Sequence, residues 1–159
     1  MIVSLLPAML LGLMGLAPRG EASGGEREAV VEILTAYHAA LQAGEPQGVG
    51  RLLGPSYFMA DESSAAGSEQ MSAHMYLTGA ELQAWPRAFL NEAGPYRNEY
   101  RVLSVSIRGE AAVVLTRNTG SNRFRRWLDE EAAWFLGRAS GQWRIVGLLI
   151  RDIQLPKER

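Results

Sequence analysis

The chain has 159 residues, 47% of them hydrophobic and 21% charged, with 16 basic against 17 acidic side chains and no cysteine. This is the make-up of one globular domain, too apolar for a disordered tail and without the basic excess of a nucleic-acid binder. The missing cysteine excludes disulfides, thiolate zinc sites, a cysteine nucleophile and a lipidated cysteine anchor together.

Residues 1–22 read as an export signal. Ile2 to Leu16 is an apolar run shorter than the roughly 20 residues a spanning helix needs, and small residues Gly20 and Ala22 suit a cut before Ser23. The expected working domain is therefore 23–159, in an exported protein that is periplasmic or secreted. Membrane contact is expected only through an uncleaved signal. Charge is unevenly spread along this domain. Residues 26–99 carry 10 acids and 4 bases, whereas residues 100–159 carry 11 bases and 6 acids. Packing of the two halves against each other accounts for such an asymmetry without an acidic partner.

Helices come first in the chain. From Glu26 to Gly44, the apolar residues Val30, Ile33, Leu34, Tyr37 and Leu41 recur at helical spacing, with acids near the start and Gly44 at the end. Pro46 opens a second short helix to about Leu53, and Gly54–Pro55 breaks the chain. Tyr57–Asp61 is a strand candidate, Glu62–Gln70 a loop without periodicity, and Met71–Leu77 a second strand. Thr78 and Glu81 have capping-box spacing ahead of a third helix carrying Leu82, Trp85 and Phe89, which Pro86 must kink or restart.

Strands follow. From Glu99 the period becomes two, giving segments to Arg108, from Ala111 to Thr119, from Trp127 to Arg138 and from Gln142 to Ile153. Short turns join them into an antiparallel meander. Runs such as Ile145 to Ile150 are apolar on both faces, so both faces must be covered, one by helices and the other by a partner subunit or more chain. The predicted fold class is α+β, with N-terminal helices packed on a curved, mostly antiparallel sheet.

The segment AYHAALQAGEPQGVGRLLGPSYFMAD resembles the opening of the nuclear transport factor 2-like superfamily, particularly its SnoaL-like and ketosteroid-isomerase-like branches. Tyr37, Ala40, Leu41, Gly44 and Glu45 fit its helix ending, with Glu in place of the usual Asp, and Asp61 falls where the first strand carries an acid. WFLGRASGQWRIVGLLI is similar to the superfamily's last hairpin through Gly141, Trp143 and Ile145. The resemblance implies a cone-shaped fold with a pocket at its open end. It also implies, for the isomerase branch, Tyr37 as oxyanion donor and Asp61 as proton carrier. That branch's second oxyanion donor falls on Ala133, with Glu131 two residues earlier on the same strand.

The candidate catalytic pair is thus Asp61 and Tyr37, each with a plain alternative: a solvated strand end and a core tyrosine. Tyr57, Met59, Trp85 and Phe89 suit the walls of an apolar ligand pocket. His38 is expected on a helix flank. Met71, His74 and Met75, near Met59, make a thioether–imidazole set that suits Cu(I), although methionines more often fill apolar gaps. No phosphate-cradling glycine loop, Ser–His–Asp spacing or metal-ligand series occurs in the sequence, so no metal and no cofactor is expected. The leading expectation is a homodimeric domain that binds a small apolar or amphipathic molecule and no nucleic acid. The alternatives are an isomerase or dehydratase using Asp61 and Tyr37, and an interaction module without a ligand.

Overall fold

The computed structural model describes residues 24–61 and 73–152. The proposed signal at 1–22, the loop at 62–70 and the methionine at 71 lie outside the described residues. The elements, in order, are α1 (Gly24–Ala43), α2 (Pro46–Leu52), β1 (Leu53–Asp61), β2 (Ala73–Thr78), α3 (Gly79–Ala93), β3 (Arg97–Arg108), β4 (Ala111–Ser121), β5 (Arg126–Ala139) and β6 (Gln142–Asp152). The six strands form one sheet in the order β2-β1-β6-β5-β4-β3, antiparallel throughout except where β1 runs parallel to β6. Because β2 and β3 lie at opposite edges, α3 carries the chain from one edge to the other. This is the predicted α+β architecture.

Each element follows from local chemistry. The buried side of α1 is Val30, Leu34, Tyr37, His38 and Leu41, a helical stripe laid on the sheet. Gly44 ends the helix at φ +69°, and Pro46 starts α2 where a missing N–H costs nothing. The β5–β6 hairpin turns on Ser140 and Gly141, both at positive φ, as the tightest two-residue turns require. Register shifts interrupt the β1–β6, β3–β4, β4–β5 and β5–β6 ladders. Such bulges bend and twist strands, which lets a flat meander curl around helices.

Alternation then sorts the sheet's two faces. Ala112, Val114, Thr116 and Asn118 on β4 and Glu130, Ala132, Trp134 and Leu136 on β5 are buried on the helix side. Leu34, Val30, Tyr57, Val114 and Ile145 are among the fully buried side chains of that core, and each such Leu or Ile contributes roughly 1.5–3 kcal/mol. The other face carries half-buried Phe58, Val113, Leu115, Ala133, Phe135 and Leu149. No helix among the described residues is long and apolar enough to cross a membrane.

Two sequence expectations need correction. The chain does not break at Gly54–Pro55: β1 runs through both, and pairing with β6 shifts register between Leu53 and Phe58. Pro55 sits in that irregular stretch, where its missing N–H removes no bond from the β1–β6 ladder. The Thr78–Glu81 capping box does not form either, since Thr78 makes no side-chain capping bond. Gly79 opens α3 at φ +52°, a left-handed turn that takes the Thr78 hydroxyl out of line with the first helical amides. The helix itself continues through buried Pro86.

The outer face is tightly packed at Gly147. Phe58 lies over Gly147 and packs on Phe135 at 5.2 Å between ring centres, so a Cβ on Gly147 would overlap the Phe58 ring. We expect Gly147→Ala to cost about 1–3 kcal/mol in urea unfolding, and the added Phe58→Leu to recover part of that loss.

Candidate functional site

The helices do not fill the sheet's curve completely. A cavity of about 260 Å³ remains between α1, α3 and strands β1, β5 and β6. Tyr37 and Leu41 reach it from α1, Tyr57, Met59 and Asp61 from β1, and Trp85 and Phe89 from α3. Alternation on β1 sends Tyr57, Met59 and Asp61 inward together, whereas the i, i+4 spacing of Trp85 and Phe89 stacks their rings at 5.1 Å and 22°. The structure therefore brings all six sequence-derived site residues to one cavity.

The walls are aromatic. Rings follow one another from Tyr57 to Trp85 (5.3 Å), Trp85 to Phe89, Phe89 to Tyr96 (6.4 Å) and Tyr96 to Trp127 (5.7 Å), with Trp134 against Tyr37 at 5.4 Å. Two of the three indoles, Trp127 and Trp134, are anchored by polar residues behind them. Trp127 Nε1 donates to Asn98 Oδ1 at 3.0 Å, and Trp134 Nε1 donates to Thr116 Oγ1 at 3.0 Å. Thr116 in turn donates to Asn118 Oδ1. Locked indoles make fixed walls, which favours a preformed pocket.

Three phenols face inward. Burial raises the Tyr37 pKa well above its ordinary value, and the neighbouring Tyr57 phenol raises it further. Tyr57 is raised by burial, with Tyr37 partly opposing and Tyr96 adding. Tyr96 is raised by burial, then by Tyr37 and Glu130, against the pull of Arg125. All three are neutral hydroxyls at neutral pH, able to donate as well as accept. The Tyr57 hydroxyl is wholly buried yet forms no hydrogen bond of good geometry among the described residues, although Tyr37 lies near enough to affect its ionisation.

The polar end of the cavity centres on Arg125. Its Nη2 lies 2.8 Å from Glu130 Oε2 and 3.3 Å from Asp61 Oδ2, and its guanidinium carbon stands 5.1 Å from the Trp127 ring centre. The β4–β5 loop that carries Arg125 is itself fixed. Asn122 Oδ1 accepts from the amides of Phe124 and Arg125, and the Arg123 amide donates to Ala93 O at the end of α3. Phe124, at the loop's tip, lines the cavity while remaining largely exposed. The Arg125–Asp61 pair and the Arg138–Glu26 pair join the basic and acidic halves of the chain.

Sequence reasoning missed Glu130. It placed Ala133 and Glu131 toward the site, but Ala133 packs on the outer face opposite Leu115 and Leu149, and Glu131 meets Arg151 there at 3.4 Å. A shift of one residue along a strand reverses its faces. The signal was available: Trp134 and Ala132 point inward, so Glu130 must as well. Glu130 is buried against Arg125, whose guanidinium forms an ion pair with its Oε2 at 2.8 Å. The copper set does not assemble among the described residues. Met71 lies outside them, His74 pairs with Ala60 and is exposed, Met75 pairs with Met59 on the opposite face, and no group of three His, Asp or Glu placed to hold a metal occurs among the described residues.

His38 is buried beneath α1, not on an open flank. Asn98 Nδ2 lies 3.4 Å from its Nδ1, its ring packs on Tyr100 and Trp134, and its Nε2 has no hydrogen-bond partner among the described residues.

No protein-family profile and no curated protein matches the chain. Solved structures do share its backbone. A cystatin-like-fold domain of unknown function from Nostoc punctiforme superposes with a TM-score of 0.64 at 15% identity, over 84% of this chain and 82% of that one. A provisionally assigned dehydratase of the nuclear transport factor 2-like family from Streptomyces avermitilis gives 0.63 at 12%, over 82% and 98%. A nuclear transport factor 2-like protein of unknown function from Shewanella baltica gives 0.59 at 14%, over 82% and 96%. The chain thus has the nuclear transport factor 2-like fold, an α+β cone of helices on a curved sheet. At these identities the likeness carries fold alone.

Burial without a counter-charge pushes the His38 pKa down from 6.5 to about 4. Between those values only the unfolded chain takes up the proton, so stability is full above about pH 6.5 and declines as the pH falls toward 4. Urea midpoints should fall more steeply with acid for the native chain than for His38→Gln, the difference reaching about 2–3 kcal/mol at pH 4.

Proposed function

We propose that this is an exported domain that binds one small amphipathic molecule in the cone cavity. The Tyr57 hydroxyl carries this reading: it is buried against an apolar space without a well-formed hydrogen bond. Leaving such a group unmet costs about 1–3 kcal/mol, which a polar atom of a ligand would recover. At about 260 Å³ the cavity falls just below the roughly 300–1,000 Å³ usual for ligand pockets, so the occupant is a small one with a body of about one ring. The apolar outer face, with Phe58, Leu115, Phe135 and Leu149, supports assembly as a homodimer through the sheet. The apolar segment ahead of residue 23 supports export.

Native mass spectrometry of protein taken from the exported fraction tests both parts at once. The expected mass is a dimer with one small molecule per protomer, and Tyr57→Phe should weaken retention about tenfold. A ligand-free mass under gentle conditions would favour the interaction-module alternative.

A second reading is acid–base catalysis of the isomerase or dehydratase kind. It is favoured by Asp61 and Tyr37 opening on one cavity. Tyr37 would steady a developing oxyanion while Asp61 moved the proton. The Arg125 contact weighs against it, because it engages the carboxylate that must act as base. On an enolisable ketone, proton exchange should fall about 100-fold in Asp61→Asn and in Tyr37→Phe. Equal exchange in the native chain and both folded variants removes this reading.

A further inference from the structure

The charged groups around the cavity are unevenly signed. Among the described residues that line it, Asp61 and Glu130 are carboxylates and Arg125 is the single cationic group. One guanidinium nitrogen, Arg125 Nη2, contacts both acids, at 3.3 and 2.8 Å, while the guanidinium stands over the Trp127 indole. The protein thus seats a cation of its own where two carboxylates meet an aromatic face. The rest of the wall continues that environment through Tyr96, Phe89, Trp85 and Tyr57. Aromatic faces are negative at their centres, so a wall of rings ending in two carboxylates attracts positive charge and opposes negative charge.

We propose that the molecule bound here is a small organic cation, an amine or guanidine on an apolar body of about one ring. Its head joins Asp61 and Glu130 beside Arg125, and its body lies along the rings. The proposal rests on the cavity being a ligand site, as argued above. An anionic ligand would bring its charge against two carboxylates in a partly desolvated space, and Arg125 answers it only by leaving them. A neutral ligand gains the walls and a hydrogen bond to Tyr57 but no attraction from the two carboxylates. Competition with Arg125 for the same oxygens has a further consequence: shortening that side chain should strengthen binding of an ammonium head.

Three probes that share a ring and chain separate these cases: phenethylamine, an ammonium at pH 7, phenethyl alcohol and 3-phenylpropionate. In titration calorimetry on the full domain, the ammonium should bind about tenfold or more tighter than the alcohol, with the carboxylate weakest. Asp61→Asn, a near-isosteric change at a half-buried position, should bring the ammonium to within about threefold of the alcohol. Glu130→Gln should act in the same direction, but its side chain is buried, so Asp61→Asn is the deciding variant. Arg125→Ala should tighten the ammonium.

If the alcohol or the carboxylate binds as tightly as the ammonium, the cation proposal falls and the ligand-site reading stands. An ammonium preference that survives intact in folded Asp61→Asn also overturns the proposal. If none of the three binds at millimolar concentration, both readings fall.

Discussion

One guanidinium organises the open end of this molecule. Arg125 stands on the β4–β5 loop, yet it reaches Asp61 at the end of β1 and Glu130 within β5, and it covers the Trp127 ring. Those contacts draw together a loop, an inner strand and a strand on the far side of β6. A buried carboxylate such as Glu130 is costly unless its charge is met at close range, so the position of Arg125 is a condition of Glu130 being there at all. The loop that supplies the arginine is in turn held by Asn122 and by the end of α3.

The interior obeys the same rule with neutral partners. Two of the three indoles that wall the cavity, Trp127 and Trp134, are each tied by a ring nitrogen to a polar side chain that alternation has turned inward, Asn98 and Thr116. His38 stays neutral in an aromatic setting and meets Asn98 at its edge. Two buried aromatic side chains depart from this pattern, at His38 Nε2 and at the Tyr57 hydroxyl, and of the two only Tyr57 faces the empty volume. Polar groups left unmet in an otherwise satisfied core point to function before they point to poor packing.

Much of this was legible in the residues. The helical stripe of α1, the Pro46 start of α2, the hairpin at Ser140–Gly141 and the period-two strands are local effects, and local chemistry suffices to find them. The pocket wall was legible for a related reason: Tyr57, Met59 and Asp61 share one strand face, and Trp85 and Phe89 share one helical turn. What escaped depended on contacts between distant elements or on single-residue register. Thr78 has capping chemistry, but the left-handed Gly79 decides its geometry. Gly54–Pro55 has turn chemistry, yet neighbouring strands absorb it into β1. Glu130 differs from Glu131 by one step along a strand: alternation with Ala132 and Trp134 turns it inward, but that it meets Arg125, a residue on a loop, depends on a contact between distant elements.

The direction of α1 has a consequence for how the domain is presented. Its first turn lies near the end of β5, where Glu26 meets Arg138, whereas its later turns carry Tyr37 and Leu41 to the cavity. At about 1.5 Å per residue, 20 residues separate the two ends of this helix by about 30 Å. The start of α1 at Gly24 therefore lies on the side of the domain remote from Arg125 and Phe124. A tether attached there would hold the cone by its back, with the mouth turned toward the surroundings and away from the point of attachment.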